Sequence, residues 1–381
     1  MNEKTTSRRV LIVGGGAGGL AAAVSAAGAG AQVTILEKAN RVGKKLLKTG
    51  NGRCNLSNQH VAPEGYNHPD FVAPLLERTP CAALRDFFAS IGLWTVSDGE
   101  GRIYPRSDTA ASVLDVLRLA CAERGAAEVC STEITGIEYD GGRFTLRARA
   151  GGDFTADRVI VASGGGTALL RALGHEYVPM TPVLCPLKTE LGPIRGLSGL
   201  RAKCRASLLR RGREVISERG ELLFRDFGVS GILALDLSRY AQECDMLSLD
   251  LAPELERGAL REMIAARADL GREGAEALTG IFHRRLNEAL LRCAGGADAD
   301  ALAGAIKDFR LTVLGPGDVQ NAQVTRGGAA AEGFDPLTLE SRLVPGLYCV
   351  GEALDVDGRC GGYNLHWAFA SGLSAGRSAA Q

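Results

Sequence analysis

A strand, a glycine turn and a helix near the N-terminus constrain this chain more than anything that follows them. Val10 to Val13 is a continuous apolar run of the kind a strand buried on both faces presents, and three glycines stop it at once. Gly14, Gly16 and Gly19 stand at the spacing G-x-G-x-x-G, which turns the backbone tightly, brings it close to a pyrophosphate and packs the next helix on the sheet. From about Ala17 to Ala29 the chain is nearly all Ala, Leu and Val, a helix that can lie flat on strands and aim its first N–H groups at phosphate. Gln32 to Leu36 reads as a second strand that delivers Glu37, a carboxylate placed to accept from the ribose hydroxyls of an adenine nucleotide. Glycines serving packing alone would not explain why strand, turn, helix, strand and terminal acid follow in this order. Glu37 repels a 2'-phosphate, so the unit reads as a site for FAD or NAD rather than NADP. Its expected contacts are Gly14, Gly15, Gly16, Ala17, Gly18 and Gly19 of the turn, with Glu37 and Lys38.

At 381 residues the chain exceeds what one hydrophobic core usually organises, and two or more domains are expected. Its 44 basic and 44 acidic residues cancel, so no net field draws it to nucleic acid or an anionic membrane, and neither partner is expected. The polar start MNEKTTSRR leaves no room for a signal peptide, and the most apolar stretch belongs to the nucleotide-binding helix. The ten cysteines form no C-x-x-C pair and no zinc spacing, which fits small buried hydrophobes in a reducing compartment and no metal. The expected location is cytoplasmic.

After Glu37 comes NRVGKKLLKTGNGRCNLSN, residues 40–58, with Arg41, Lys44, Lys45, Lys48 and Arg53 on a glycine-rich backbone. A charged surface loop is the bland reading. Its position argues otherwise: a loop leaving the C-terminal end of the second strand lies in the crevice where open α/β sheets hold ligands. Lys44 and Lys45 can neutralise phosphates there, while Gly52, Arg53, Cys54 and Asn55 offer N–H groups and polar side chains to a flavin ring.

Farther on, FVAPLLE, CAALRDFFASIGL and Thr109 to Arg124 carry helical spacing around a short strand GRIYP, and Trp94 and Tyr104 read as core. Ala127 to Gly136 and Phe144 to Ala150 flank Asp140-Gly141-Gly142, which predicts a small antiparallel meander. Asp157 to Ala162 is a further buried strand ending in Ser163-Gly164-Gly165-Gly166. From Pro186 the pattern changes: Ala202 to Leu209, Glu214 to Glu218, LLFRDF and ILALDL read as short strands of a separate β domain. Residues 253 to 310 return to helical composition, amphipathic from Leu255 to Leu270 and from Ala301 to Phe309. The chain then offers AQVTRGGA, a buried strand Leu347 to Val350 ending in Gly351-Glu352, and the glycines Gly361-Gly362 before a helix opened by Asn364 and Leu365. That helix's N-terminus would stabilise negative charge on a reduced flavin.

GKKLLKTGNGRCNLSN, AQVTRGGA and the last sixty residues together resemble the BaiN-like flavoproteins, a family that includes a 3-dehydro-bile acid reductase and aminoacetone oxidase. The resemblance covers nearly the whole chain and implies bound FAD. It implies an α/β fold, a glutathione-reductase-like FAD-binding Rossmann domain built from 1–185 and 316–381. An inserted β domain, 186–252, and a helical segment, 253–315, interrupt it. In such folds the turn Ala162, Ser163 and Gly164 passes the adenosine and the Gly351-Glu352 carboxylate meets the ribityl chain; Ile134, Gly362, Asn364 and Leu365 complete the expected cofactor contacts. The chain departs from the family at two places. Only six residues separate Gly166 from Leu173-Gly174-His175, and Arg225-Asp226 replaces Thr-His in the family's LLFTHxGxSGPAxL pattern. His175 reads as a capping or satisfied structural histidine.

The redox chemistry would belong to the flavin. A second G-x-G-x-x-G unit is absent, so NAD(P)H would visit the substrate side as a transient donor. The first reading is an NAD(P)H-driven reductase of a conjugated enone such as a 3-dehydro-4,6-diene bile acid. The others are an amine oxidase of aminoacetone type returning electrons to oxygen, and a non-enzymatic FAD-binding sensor or assembly factor. Arg53, as a permanent cation, and Tyr363, as a proton donor, are the candidate catalytic side chains. With Asn55 and Asn364 they are expected to line the space beside the flavin ring.

Overall fold

The structure, a computed structural model, describes residues 7–165, 168–318, 322 and 324–381. Gly166 of the second glycine turn and Gln323 of AQVTRGGA lie outside the described residues. The chain divides into two compact units, one gathering residues up to 181 and from 324 onward, the other residues 182–323.

The first unit is built on a five-stranded, wholly parallel sheet in the order Leu347–Cys349, Arg158–Val161, Arg9–Val13, Gln32–Leu36, Ala127–Val129. Val10, Ile12, Ile35, Val159, Ile160 and Leu347 are fully buried, as the unbroken apolar runs require when both faces are covered. Chain order reverses at the central strand Arg9–Val13: it runs to Gln32–Leu36 on one side and is joined by Arg158–Val161 on the other. That makes a switch point at the C-terminal ends of the strands.

The helix Ala17–Gly28 lies directly on the C-terminal helix Tyr363–Ala379. Small residues let the backbones touch: a Cβ on Gly372 would collide with the Gly18 carbonyl, and one on Gly376 with the Ala22 carbonyl. Ser25 Oγ donates to the Leu373 carbonyl at 2.7 Å across the same seam. The helices Pro69–Arg78, Cys81–Ser90 and Ala110–Glu123 follow the apolar spacing, the last N-capped by Thr109.

Two expectations for this unit are corrected. Ala127–Val129 is not part of the meander; it pairs in parallel with Gln32–Leu36, and the antiparallel sheet is formed by Ile134–Tyr139, Phe144–Ala148 and Asp153–Ala156. Trp94 is not core. It is 74% exposed and borders a surface groove with Arg85, Asp86 and Leu93, because it precedes the short edge strand Thr95–Ser97 rather than facing the sheet. Tyr104 is buried.

The second unit is a closed six-stranded barrel in the order Leu187–Thr189, Gly228–Ser230, Arg213–Arg225, Arg201–Arg210, Met246–Asp250, Phe309–Pro316. Its interior is filled by Leu208, Leu222, Phe224, Val229, Leu247, Leu249, Leu311 and Val313. Arg201–Arg210 and Arg213–Arg225 form a hairpin across the two-residue turn Arg211-Gly212, both at positive φ, so the strands run longer than alternation alone suggested. ILALDL is a helix, Ile232–Leu237, not a strand: Leu233, Ala234 and Leu237 are buried at helical spacing while Ile232 is 43% exposed. The helical stretch expected to reach 315 ends at Lys307, since Phe309–Pro316 closes the barrel between Leu187–Thr189 and Met246–Asp250. The helices Arg257–Ala268, Arg284–Ala294 and Ala299–Lys307 precede it. Among the described residues no helix is long and apolar enough to cross a membrane.

Candidate functional site

Gly14 begins the site. Its φ is +107°, its N–H donates to the Leu36 carbonyl at 2.8 Å, and a Cβ there would fall 2.5 Å from the Ala162 carbonyl oxygen. Only glycine threads the turn between the ends of both flanking strands. Gly16 then caps the helix Ala17–Gly28 without any side-chain bond, and nothing stands within 4 Å of where its Cβ would lie. This is an open cradle at a helix N-terminus whose first turn carries no acid, the room and polarity a phosphate needs.

Glu37 is held for its task by two backbone bonds: Oε2 accepts from Gly15 N–H at 2.7 Å and Oε1 from Ala39 N–H at 2.8 Å. A carboxylate has about four acceptor sites, so two remain for ribose hydroxyls. Lys38 and Lys44 are exposed on the same loop. Thr132 N–H donates to the Glu37 carbonyl, which brings the segment ending in buried Ile134 beside the acid.

The turn after Arg158–Val161 meets the last strand's end. A Cβ on Gly164 would be 3.7 Å from Glu352 Oε2, and Glu352 is ion-paired with Lys45 and accepts from Thr325 N–H at 3.4 Å through its other oxygen. Ser163 Oγ is buried with no hydrogen-bond partner. An orphaned hydroxyl, an open helix N-terminus and a two-acceptor carboxylate converge on one crevice; this donor and acceptor set fits the adenosine diphosphate part of FAD.

The expected flavin-side residues come together but are differently employed. Arg53 Nε donates to Asp108 at 2.6 Å, and its guanidinium sits 4.2 Å over the Tyr104 ring. Tyr363 donates its hydroxyl to the His60 carbonyl at 2.7 Å and packs 5.5 Å from the Tyr66 ring. The Asn364 amide is engaged by the backbone of the turn before it. Its Oδ1 accepts from Gly358 N–H at 2.9 Å and its Nδ2 donates to the Gly358 carbonyl at 2.8 Å, stitching the preceding turn. Leu365 is half-buried on the same helix. Cys54 is wholly buried, and burial pushes its thiol up to about 12 despite a bond with Thr49, so it is no nucleophile. Asn55 is 9% exposed, and its Oδ1 has no partner. Gly362 caps the helix Tyr363–Ala379 beside it at φ +108°.

Sequence reasoning missed a network behind these residues. His68 Nε2 lies 3.1 Å from Asp355 Oδ2, Asp355 Oδ1 accepts from Gly327 N–H at 2.9 Å, and wholly buried Asp357 takes Arg326 in a two-pronged pair at 2.7 and 3.1 Å. The bond to Asp355 raises the His68 pKa against burial, and burial raises that of Asp355 but is outweighed by His68 and the Gly327 N–H, which leave it lowered. The signal was two acids alternating with apolar residues in Leu354-Asp355-Val356-Asp357. His175 is structural: its Nε2 lies 2.9 Å from Ser341 Oγ and its ring stacks on Phe334 at 4.5 Å.

A doubly wound parallel sheet with a phosphate cradle at its switch point, interrupted by a barrel unit, defines the class of FAD-dependent oxidoreductases. Residues 8–378 match the HI0933-like protein Rossmann domain, and the chain belongs to the HI0933-like family. It is 38% identical over 408 residues to the 3-dehydro-bile acid delta(4,6)-reductase of Clostridium scindens, covering 98% of this chain and 99% of the relative. It is 27% identical to the ribosomal RNA dihydrouridine synthase of Escherichia coli over 91% of each chain. Among solved structures, the open conformation of a flavocytochrome c3 fumarate reductase superposes with a TM-score of 0.50 at 17% identity over 99% of this chain and 79% of that one. The 3-ketosteroid-delta4-(5alpha)-dehydrogenase of Rhodococcus jostii RHA1 does so with a TM-score of 0.50 at 14% identity over 100% and 99%. These likenesses concern the fold.

Proposed function

We propose that this protein reduces a carbon–carbon double bond conjugated to a carbonyl in a steroid-like small molecule, with NAD(P)H as the electron donor. The observation that carries the reading is the 38% identity over the full length of a 3-dehydro-bile acid delta(4,6)-reductase. The second curated relative supports the reaction class rather than the substrate, because making dihydrouridine also adds hydrogen across a double bond conjugated to a carbonyl.

Bound FAD supplies the hydride chemistry. The chain's own groups bind and orient. The Gly14–Gly19 turn and Glu37 would hold the adenine nucleotide, Glu352 with Lys45 would serve the ribityl and phosphate groups, and the Tyr363–Ala379 helix N-terminus would stabilise negative charge on the reduced ring. We assign substrate choice to the inserted unit, residues 182–323, with its barrel strands and the helices between Arg257 and Lys307. Arg53 and Tyr363 are the side chains we assign to the substrate carbonyl and to proton delivery; Arg53 keeps its terminal N–H donors beyond the Nε bond to Asp108, and Tyr363 must release the His60 carbonyl to deliver its proton. Ten cysteines without a disulfide support a cytoplasmic setting.

Anaerobic incubation of the FAD-loaded protein with NADH or NADPH and a 3-oxo-4,6-diene bile acid tests this. Loss of dienone absorbance in step with oxidation of the nicotinamide is the expected result. In parallel assays, peroxide formed from aminoacetone in air, or dihydrouridine formed in ribosomal RNA with NAD(P)H, with the dienone untouched, would overturn it.

A further inference from the structure

Building on the FAD assignment, we propose that the Asn55 side-chain amide is the protein's contact with the imide edge of the flavin ring, Oδ1 accepting from the ring N3–H and Nδ2 donating to an adjacent ring carbonyl. Asn55 is nine-tenths buried and its Oδ1 has no partner, a condition that costs free energy unless a ligand relieves it. The neighbouring polar side chains are committed elsewhere: Ser57 to His366, Arg53 to Asp108, Tyr363 to the His60 carbonyl and Asn364 to the Gly358 backbone.

A second feature points to the same ligand. The 17-residue helix Tyr363–Ala379 begins beside this amide, with no side-chain cap and no acid in its first turn. Its cap, Gly362, stands where a Cβ would collide with the Ser57 carbonyl and come within 2.9 Å of Asn55 Oδ1, so glycine is what brings the helix end up to Asn55. On the other side, the loop reaches Asn55 through Asn51 and Cys54, non-glycine residues at φ +55° and +59°. An imide edge presents acceptor, donor, acceptor in a row. A helix N-terminus supplies donors only, whereas an amide supplies one acceptor and one donor side by side, and together they match that row. The terminal torsion of Asn is broad, so turning Oδ1 to the ring costs little.

The test compares FAD with FAD methylated at N3, measured by flavin fluorescence on full-length protein stripped of its flavin, for wild type, Asn55→Ala and Asn55→Ser. Wild type is expected to bind FAD at least about tenfold more tightly than the N3-methyl form. Both variants are expected to weaken FAD and to shrink that preference to about twofold or less. Equal binding of the two flavins by wild type, which requires no variant to fold, overturns the contact; so does full discrimination retained in a folded variant. Wild type that binds neither flavin overturns the FAD assignment itself and the contact with it.

Discussion

His366 shows how a single side chain reports the integrity of the first unit. It is wholly buried; its Nε2 donates to the Thr79 carbonyl at 3.0 Å and its Nδ1 lies 2.8 Å from the Ser57 hydroxyl, which can donate to the neutral ring. Burial lowers its pKa from 6.5 to about 4, against a smaller opposing effect of the Thr79 bond. Below pH 6.5 the unfolded chain takes up a proton that the folded chain refuses until about pH 4, so stability falls as pH falls through that window. Between pH 7 and pH 5 the loss from this group is expected to be about 2 kcal/mol. His68 carries the opposite sign: its raised pKa contributes fully below pH 6.5 and is lost as pH rises through the folded value. Urea denaturation at the two pH values, in wild type and His366→Gln, separates them. The variant should show a pH dependence flatter by that amount, and identical slopes would refute the assignment.

Elements depend on where they touch. The helices Ala17–Gly28 and Tyr363–Ala379 meet backbone to backbone, and Gly376→Ala would drive a methyl group into the Ala22 carbonyl. Alanine favours a helix interior over glycine by about 1 kcal/mol, but overpacking against rigid backbone costs about 1–3 kcal/mol. The second effect should win, giving net destabilisation and weaker FAD retention because the nucleotide-binding helix is displaced. Gly258→Ala is the control: it lies in the helix Arg257–Ala268 with nothing within 4 Å of the added methyl, and it should leave stability unchanged or raise it by up to about 1 kcal/mol. Thermal melts and bound-flavin absorbance of the two variants check the contrast.

At the scale of the whole molecule, every residue assigned to FAD belongs to the unit built from residues up to 181 and from 324 onward. A ligand that binds only the folded state stabilises it by about 2.7 kcal/mol at a hundredfold excess over Kd. Hydrogen exchange with and without FAD should therefore show slower exchange in Arg9–Val13, Gln32–Leu36, Arg158–Val161 and the C-terminal helix. The hairpin Arg201–Arg210 and Arg213–Arg225, with a hydrophobic core of its own, should change little. Equal protection gained in both units would show that they unfold as one cooperative body.

The nucleotide site was legible in the sequence because its information is local. The Gly14–Gly19 spacing, the apolar runs Val10–Val13 and Gln32–Leu36 and the acid Glu37 sit within one strand-turn-helix-strand unit, and backbone geometry alone relates them. Where several strands could compete for a partner, only the tertiary structure decided. Ala127–Val129 joins the parallel sheet beside a strand over ninety residues away, and Phe309–Pro316 turns from the end of a helical stretch into the stave that closes the barrel. ILALDL fits either period until the position of the barrel core selects the helix. The polar architecture behind the flavin side was equally hidden: His68 with Asp355, Ser57 with His366 and Tyr363 with His60 each join residues about three hundred positions apart. Side-chain partners at that separation are set by how the C-terminal segment from Asp355 through the last helix lies against residues 57–68, and no local periodicity encodes them.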